Sequence, residues 1–495
     1  MKKSKLAIGV IAVLGAAWIG GAWFTGQTAE TEYKRQIEQA NQKFKALGVS
    51  DSLNVEFKNK SFDRGLFSSQ VEDEVVISLP QAQKQLTIPF STKLYHGPLP
   101  LNRLAQLNFL PVMYSAEGFI TKNESTQALF ETIKADKPIQ YYASTGYGLN
   151  TKGGFELAGG EFVDPQSANN KISWSNIVTD FDVNKDLAGT YNVRIDALGM
   201  DFANLGGNEL ESVKLKWQGI RFDTAFAPTK WAYLYTGKGS SSVESLEMTG
   251  LDENGKAISF VEKGVKGTSE ISLDGDFVSL KGTNSVDSIK IDNTDLGKVV
   301  YNLEFNHLEA NAINALLESF VATFNAAKEQ GANTDALVGQ LLDTWVNQHG
   351  MAIFNNQPQI KLNPLSISDE QGKLSLDLNI ALAKNPKFDL MRGNLYKQFT
   401  DFAVDIQLDK ATAENLMVKL APKEEQNEAK AMVKAKIEEL AAEGAKNGFA
   451  VNNEKSVTMK LVLENGELKL NGRPVPEEQV QGILLMLIMG AAMQH

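Results

Sequence analysis

Alternation of apolar and polar residues dominates the middle of this chain. The alternating apolar positions include Tyr191, Val193, Ile195 and Ala197, and later Val299, Tyr301, Leu303 and Phe305. A period of two predicts strands with one apolar face and one solvent-exposed polar face, as antiparallel sheets have. A parallel sheet needs crossover helices, and residues 135–305 show no helical pattern.

The C-terminal half mixes further strands with helices. Residues 374–382 alternate strictly, and residues 457–463 lead through Asn465-Gly466 into a second alternating run, which is a hairpin pattern. Helical periodicity covers residues 308–328, 334–348 and the highly charged 424–445. We predict an α+β fold: an N-terminal transmembrane helix and a long, mainly antiparallel, curved β-sheet, with helices inserted in the C-terminal half.

A sheet of this length has a large apolar face that must be covered. A second sheet, packed helices or an apolar ligand could each cover it. The residue pattern leaves these three possibilities open.

The N-terminus has the pattern of a membrane anchor. Three lysines within residues 1–5 precede the 19 uncharged residues Leu6–Phe24. As a helix this segment spans about 28 Å, close to the hydrocarbon thickness of a bilayer. Trp18, Trp23 and Phe24 lie toward its far end, where aromatic rings favour the interface. The lysines predict a cytoplasmic N-terminus, with the rest of the chain across the membrane.

A cleaved signal peptide is the alternative. Gly20 and Ala22, or Gly15 and Ala17, could form a peptidase site. The apolar run is longer than the usual 7–15 residues of a signal peptide, which favours an uncleaved anchor. Both possibilities export the chain.

An amphipathic helix follows the apolar segment. Its apolar positions are Tyr33, Ile37, Ala40, Phe44 and Leu47. Such a helix could be a short coiled-coil stalk that pairs protomers, or it could dock on its own domain. Two heptads are too few to identify a coiled coil from sequence.

The C-terminus contains a second apolar segment, residues 482–493, which carries no charge. At about 18 Å as a helix, it is too short to cross a bilayer. It could be a core helix, an oligomer contact or a membrane-touching tail.

These patterns divide the chain into seven segments. They are a cytoplasmic n-region (1–5), a transmembrane signal anchor (6–26), an amphipathic stalk helix (27–48), a β-rich periplasmic region (49–306), a helical pair (307–357), β-strands with an inserted charged helix (358–475) and an apolar C-terminal helix (476–495).

Composition excludes several classes of function. The net charge is −11 and no long basic run exists, which argues against a nucleic-acid partner. Cysteine is absent, which excludes disulfides, thiolate metal sites and thiol nucleophiles.

Residues with catalytic potential are few. No two of the four histidines (His96, His307, His349 and His495) are spaced as a helical metal pair. Ser68 or Ser69 could meet His96 as nucleophile and base, but no nucleophile motif surrounds the serines. The acidic segments 252–255 and 292–295 match hairpin turns better than calcium loops. We therefore predict no catalytic, cofactor-binding or metal-binding residue, and a protein that is not an enzyme.

Four short motifs together resemble a known family. They are Thr25-Gly26 with Glu32-Tyr33 after the anchor, the segment Phe62–Ser69 (FDRGLFSS), His96-Gly97-Pro98, and Leu470-Asn471-Gly472. The chain resembles the YdgA/YihF family of Gram-negative envelope proteins, whose function is unknown. That resemblance implies an inner-membrane protein facing the periplasm. The β-rich body is more distantly similar to the AsmA-like envelope proteins, which present apolar sheets to lipids.

We therefore expect a single-pass protein of the bacterial inner membrane, held through Leu6–Phe24, with most of the chain periplasmic. It would act as a non-enzymatic binding or scaffold module with an apolar sheet surface. Lipid is the candidate ligand, and no cofactor is expected. The alternative is a structural homo-oligomeric assembly protein of the cell envelope.

Overall fold

The structure is a computed structural model that describes residues 2–46, 54–79, 84–165, 167–203, 210–252, 255–292, 294–330, 334–387, 395–421 and 426–476. Within these ranges, side chains are described except at residues 2–16, 39, 43–46, 79, 84, 168, 210, 252, 324–330, 334–337 and 395–396. The apolar segment 482–493 lies outside the described residues.

Strands make up most of the described chain. The helices are α1 (Lys2–Ala46), α2 (Leu101–Ala105), α3 (Gln127–Ile133), α4 (Ala310–Gln330), α5 (Thr334–Phe354), α6 (Lys410–Leu420) and α7 (Gln426–Lys446), with a 3-10 turn at Leu395–Gln398. The first strands are β1 (Asn54–Arg64), β2 (Ser68–Leu79), β3 (Lys84–His96), β4 (Tyr114–Ile120), β5 (Ile139–Thr145), β6 (Thr151–Leu157), β7 (Gly160–Asp164), β8 (Ser167–Trp174), β9 (Ile177–Val183), β10 (Gly189–Ala203) and β11 (Leu210–Pro228). The later strands are β12 (Tyr235–Asp252), β13 (Ala257–Asp274), β14 (Phe277–Ile291), β15 (Thr294–Glu309), β16 (Gln359–Asp369), β17 (Gly372–Leu382), β18 (Phe399–Asp409), β19 (Val451–Asn452), β20 (Ser456–Glu464), β21 (Glu467–Leu470) and β22 (Arg473–Pro474).

The chain divides into two units. Unit 1 contains Met1–Asp201, Gly219–Pro228 and Glu318–Leu341, and unit 2 contains Phe202–Gln218, Thr229–Leu317 and Leu342–His495. In unit 1, each strand from β1 to β6 pairs antiparallel with the next. Strand β6 then pairs with β9, and β9 with β10, while β7 and β8 form a hairpin beside β10.

Helix α1 covers the apolar face of the first strands of unit 1. Ala22, Thr25 and Ala29 face the sheet and are buried, and Thr25 Oγ1 donates a hydrogen bond of 2.7 Å to Gly97 O. Their small side chains allow the helix to approach the strands closely. Ala29 joins a core cluster with Val71, Leu94, Met113 and Tyr114.

The same helix stays attached farther along its length. The Tyr33 hydroxyl donates to the Asp73 carboxylate, and Asn41 exchanges two hydrogen bonds with the Phe57 backbone, at 2.9 and 2.8 Å. One continuous helix therefore takes in both the predicted anchor and the predicted stalk. It docks on its own domain, which favours that alternative over a coiled-coil stalk.

Unit 2 is an antiparallel succession of long strands. Pairing runs from β12 to β18 in chain order, then to β20, β21 and β22, with β19 also beside β20. The predicted hairpin joins β20 to β21. Asn465 and Gly466 both have positive φ there, as a two-residue turn with the twist of the strands requires.

Helices interrupt the succession of unit 2 strands along the chain, and residues 318–341 of α4 and α5 belong to unit 1. The pair α4 and α5 separates β15 from β16, and α6 and α7 separate β18 from β19. A core cluster of Leu234, Val278, Leu308 and Ala310 ties the start of α4 and the end of α5 to the sheet through Ile313 and Ile353. The mainly antiparallel sheet and the C-terminal helices are thus confirmed. Within the part of the chain that is described, no helix is both long and apolar enough to cross a membrane.

A matched pair of glycines tests the docking of α1. A Cβ at Gly26 would lie 2.5 Å from His96 Nδ1, whereas a Cβ at Gly20 would meet nothing within 4 Å. Alanine in a helix gains up to about 1 kcal/mol over glycine, but overpacking costs about 1–3 kcal/mol. We expect Gly26→Ala to lower the melting temperature by several degrees and Gly20→Ala to keep or raise it. Equal melting temperatures in the two variants would contradict the docked position of α1.

Candidate functional site

The structure brings one serine and one histidine together beneath α1. Ser69 Oγ lies 2.7 Å from His96 Nε2, and His96 Nδ1 lies 3.2 Å from Leu66 O. A carbonyl oxygen can only accept, so Nδ1 carries the proton and Nε2 accepts from the Ser69 hydroxyl. The sequence left Ser68 and Ser69 as equal candidates. The pleat of β2 turns Ser69 inward.

This pair is packed rather than open. Ser69 is 2% exposed and His96 is 1% exposed, and Gly26 of α1 lies directly over the imidazole. Burial is the largest effect on the imidazole and holds the pKa of His96 below its ordinary value. A substrate could reach Ser69 only if α1 moved away. The arrangement is that of a satisfied polar contact within the core.

Among the other candidates, His307, Asp292 and Asp295 have structural partners. The His307 ring stacks on Phe277 with 3.8 Å between centroids. Asp292 accepts from the Ser259 backbone, and Asp295 accepts from Ser288 Oγ and the Gly297 backbone. Residues 253, 254 and 293 of the acidic turns lie outside the described residues. Among the residues that are described, no three histidine, aspartate or glutamate side chains group as metal ligands.

The strand register of unit 2 builds one continuous apolar surface. Residues paired directly across an antiparallel ladder point to the same face of the sheet. Tyr301 of β15 is paired with Leu365 of β16, which is paired with Leu376, then with Ile406, then with Met459. The rows before and after repeat this pattern.

We call the resulting surface the apolar face. Its four rows are Val299, Ile367, Leu374, Leu408 and Val457; Tyr301, Leu365, Leu376, Ile406 and Met459; Leu303, Leu362, Leu378, Val404 and Leu461; and Phe305, Ile360, Ile380 and Phe402. No member is charged, and none is buried; in the second row Tyr301, Leu365 and Ile406 are exposed.

The opposite side of the same strands is polar. Lys281 and Glu304 form an ion pair of 2.9 Å there, and Asp377 is paired with Asp405, beside Lys460. Only one side of this sheet can therefore receive an apolar ligand.

Helices stand at both ends of the apolar face. Phe305 of the fourth row packs against the core cluster that contains Val278, and Ile313 of α4 and Ile353 of α5 pack against the same cluster. At the first-row end, Thr412 and Asn415 of α6 donate to the Asp369 carboxylate, at 2.9 and 2.6 Å. The four rows run about 20 Å along the strands, and the five strands are about 19 Å wide.

The exposure of these residues corrects a sequence expectation. Alternation predicts that Leu303 and its neighbours face a buried core, but these side chains are half-buried. Alternation reveals which face is apolar, and it carries no information about what covers that face. The sequence patterns also did not predict that Trp18–Gly26 pack against the strands of unit 1. The spacing of small residues at Ala22, Gly26 and Ala29 is the pattern that could have revealed it.

Known proteins provide an independent comparison. A family model described as a bacterial protein of unknown function (DUF945) matches residues 1–478. An uncharacterized protein of Haemophilus influenzae is 36% identical over 330 residues, which cover 66% of this chain and 89% of that protein. Protein YdgA of Escherichia coli is 26% identical, covering 98% of this chain and 97% of its own. The uncharacterized E. coli protein YihF is 21% identical, covering 96% and 97%. No solved structure matches.

The buried imidazole predicts sensitivity to acid. Because its pKa is lower in the folded state, unfolding takes up a proton below the ordinary histidine value of about 6.5. The contribution of His96 to stability is therefore complete above that pH and is lost as pH falls below it. We expect the melting temperature to fall less between pH 7.5 and pH 5.5 in His96→Gln than in the wild type. His349→Gln is the control and should keep the full decrease; an unchanged decrease in His96→Gln would show that the imidazole is not buried in its neutral form.

Proposed function

This chain belongs to the DUF945 family of bacterial proteins, and the motif resemblance to YdgA and YihF is thereby confirmed. On that premise we propose that it is a membrane-anchored envelope protein that binds lipid acyl chains on the apolar face of unit 2. The observation that carries the proposal is the apolar face itself, whose nineteen side chains include no charge and no buried member.

The chemistry of the face favours an acyl chain over other ligands. A polar ligand would lose its hydration there and find a single hydroxyl group, that of Tyr301, to bond with, which is unfavourable. One acyl layer is about 15 Å thick, half of a hydrocarbon core of about 30 Å. A surface of about 20 Å along the strands can hold such a chain lengthwise.

Anchoring rests on the sequence of the first residues. Lysines precede the uncharged segment Leu6–Phe24, which favours a cytoplasmic N-terminus and a periplasmic body. This topology would place the apolar face in the bacterial envelope. The membrane that holds the anchor would then also supply the lipid ligand. A binding role without catalysis is supported by the burial of Ser69 and His96 under α1.

A second function fits the same surface. Large exposed apolar patches also mark contacts between protein subunits. The exposed second row could pair with a second copy of the chain, which would make the protein a structural homo-oligomer of the envelope.

Variants on the two sides of one sheet separate these functions. We expect the double variant Leu365→Asn/Ile406→Asn to lose bound lipid while its melting temperature changes little, because exposed positions contribute little to stability. The control Ser366→Asn/Gln407→Asn changes the neighbouring residues, which point to the polar side. Native mass spectrometry of the full-length protein from mild detergent measures bound lipid and stoichiometry together.

Each possible result has a distinct meaning. Lipid retained by the control and lost by the apolar-face variant supports the lipid function. A lipid-free wild-type dimer that becomes monomeric in the apolar-face variant supports assembly instead. A lipid-free wild-type monomer contradicts both.

A further inference from the structure

Helix α1 and one loop meet at a single end of the unit 1 sheet. Trp18 Nε1 donates to Leu99 O at 3.2 Å, and its ring stacks on Phe67 with 4.9 Å between centroids. The loop leaves the sheet at Pro98 and returns at Val112, whose N–H donates to Pro98 O at 3.0 Å. The two ends of the loop are thus held beside this part of α1.

Large apolar side chains are exposed at this end. In the loop, Leu107 is 77% exposed, Leu110 is 70% exposed and Phe109 is 64% exposed. We call the following set the apolar rim: Ile19, Trp23 and Phe24 on the outer side of α1, Leu66, and Leu107, Phe109 and Leu110.

Low charge singles out the loop, and one of its leucines has positive φ. Between Lys93 and Glu117 the only charged residue is Arg103, although the whole protein carries a net charge of −11. The Arg103 side chain bonds to a residue of the same loop, because its Nη2 donates to Asn108 Oδ1 at 3.0 Å. Leu107 has φ of 58°, a conformation that glycine or asparagine adopts at less strain. Three large apolar side chains exposed beside so little charge indicate a role outside the fold.

Helix length connects this rim to a bilayer. Ahead of the docked part of α1, the apolar segment has only residues 6–17, about 18 Å of helix. A hydrocarbon core of about 30 Å leaves about 12 Å, or about eight residues, still to be spanned. Those residues are 18–25, within which Trp18 bonds to Leu99, Gly21 lies beside Pro98 and Thr25 bonds to Gly97. A bilayer crossed by α1 must therefore also meet the loop.

We propose that the apolar rim inserts into the membrane leaflet that faces unit 1, so that the sheet end is seated on the lipid surface. This inference rests on the anchoring by α1 that is part of the proposed function. The apolar side chains of the loop reach the acyl chains, as the apolar faces of amphipathic elements do. Where the loop is deepest, beside Trp18, the Leu99 carbonyl accepts from Trp18 Nε1, so that the protein itself satisfies this backbone group. Insertion of the apolar rim fixes the distance between the protein body and the membrane.

The natural absence of cysteine makes a direct test possible. Single cysteines at Phe109→Cys, Gly9→Cys and Lys122→Cys can carry an environment-sensitive fluorophore on the full-length chain in phosphatidylethanolamine–phosphatidylglycerol vesicles. Position 109 reports the rim, and position 9 reports the anchor. Lys122 is exposed beyond the far end of β4, about 24 Å from the rim end. Nitroxides attached near the headgroup or near the acyl-chain end measure depth by quenching.

We expect position 109 to shift to shorter wavelength and to be quenched mainly by the shallow nitroxide. Position 9 should be quenched by the deep nitroxide, and position 122 should behave as in water. Quenching at position 9 with an aqueous signal at position 109 overturns the rim inference and leaves the anchor intact. Quenching at position 109 without quenching at position 9 supports the rim and overturns the anchoring.

A variant that preserves the backbone separates insertion from folding. Leu107→Asn/Leu110→Asn removes two apolar side chains, and asparagine tolerates positive φ at position 107. Its melting temperature should equal or exceed that of the parent protein. The wavelength shift at position 109 should fall by at least half. A full shift in this variant, with melting unchanged, contradicts insertion through these leucines.

Discussion

A sheet with one apolar face gains free energy when something removes that face from water, and this driving force organises both units. In unit 1, α1 supplies the cover. Alanine, threonine and glycine at its contact positions let the helix lie close to the strands. Thr25 donates a hydrogen bond to the Gly97 carbonyl, and Tyr33 donates one to the Asp73 carboxylate. In unit 2, the same kind of face is built by four rows of apolar residues, none of which is fully buried.

This difference between the units connects the fold to function. A covered face contributes stability, whereas an uncovered face offers the same free energy to a ligand or a partner. The polar side of unit 2, with Glu304 and Asp377, confines that binding to one surface. The N-terminal helix then has two roles, because it completes the core of unit 1 and leads from Trp18 back into the apolar segment.

Much of the fold could be predicted from the sequence because alternation and turn residues act locally. The strand around Tyr301 and the Asn465-Gly466 hairpin are examples. The packing of Trp18 on Phe67 and the choice of Ser69 over Ser68 depend on contacts between distant segments. How much of the apolar face stays exposed depends on what packs against it, and no residue within the strands encodes that. The anchor, the periplasmic location and the lipid ligand stay predictions.

The most direct measurement is photo-crosslinking in living cells from the centre of the apolar face. A benzophenone side chain at Leu376 should form an adduct with the mass of a membrane lipid, and one at Ser375, on the polar side, should not. Crosslinking of position 376 only to residues 482–493 or to a second copy of the chain would show that protein, and not lipid, covers the face.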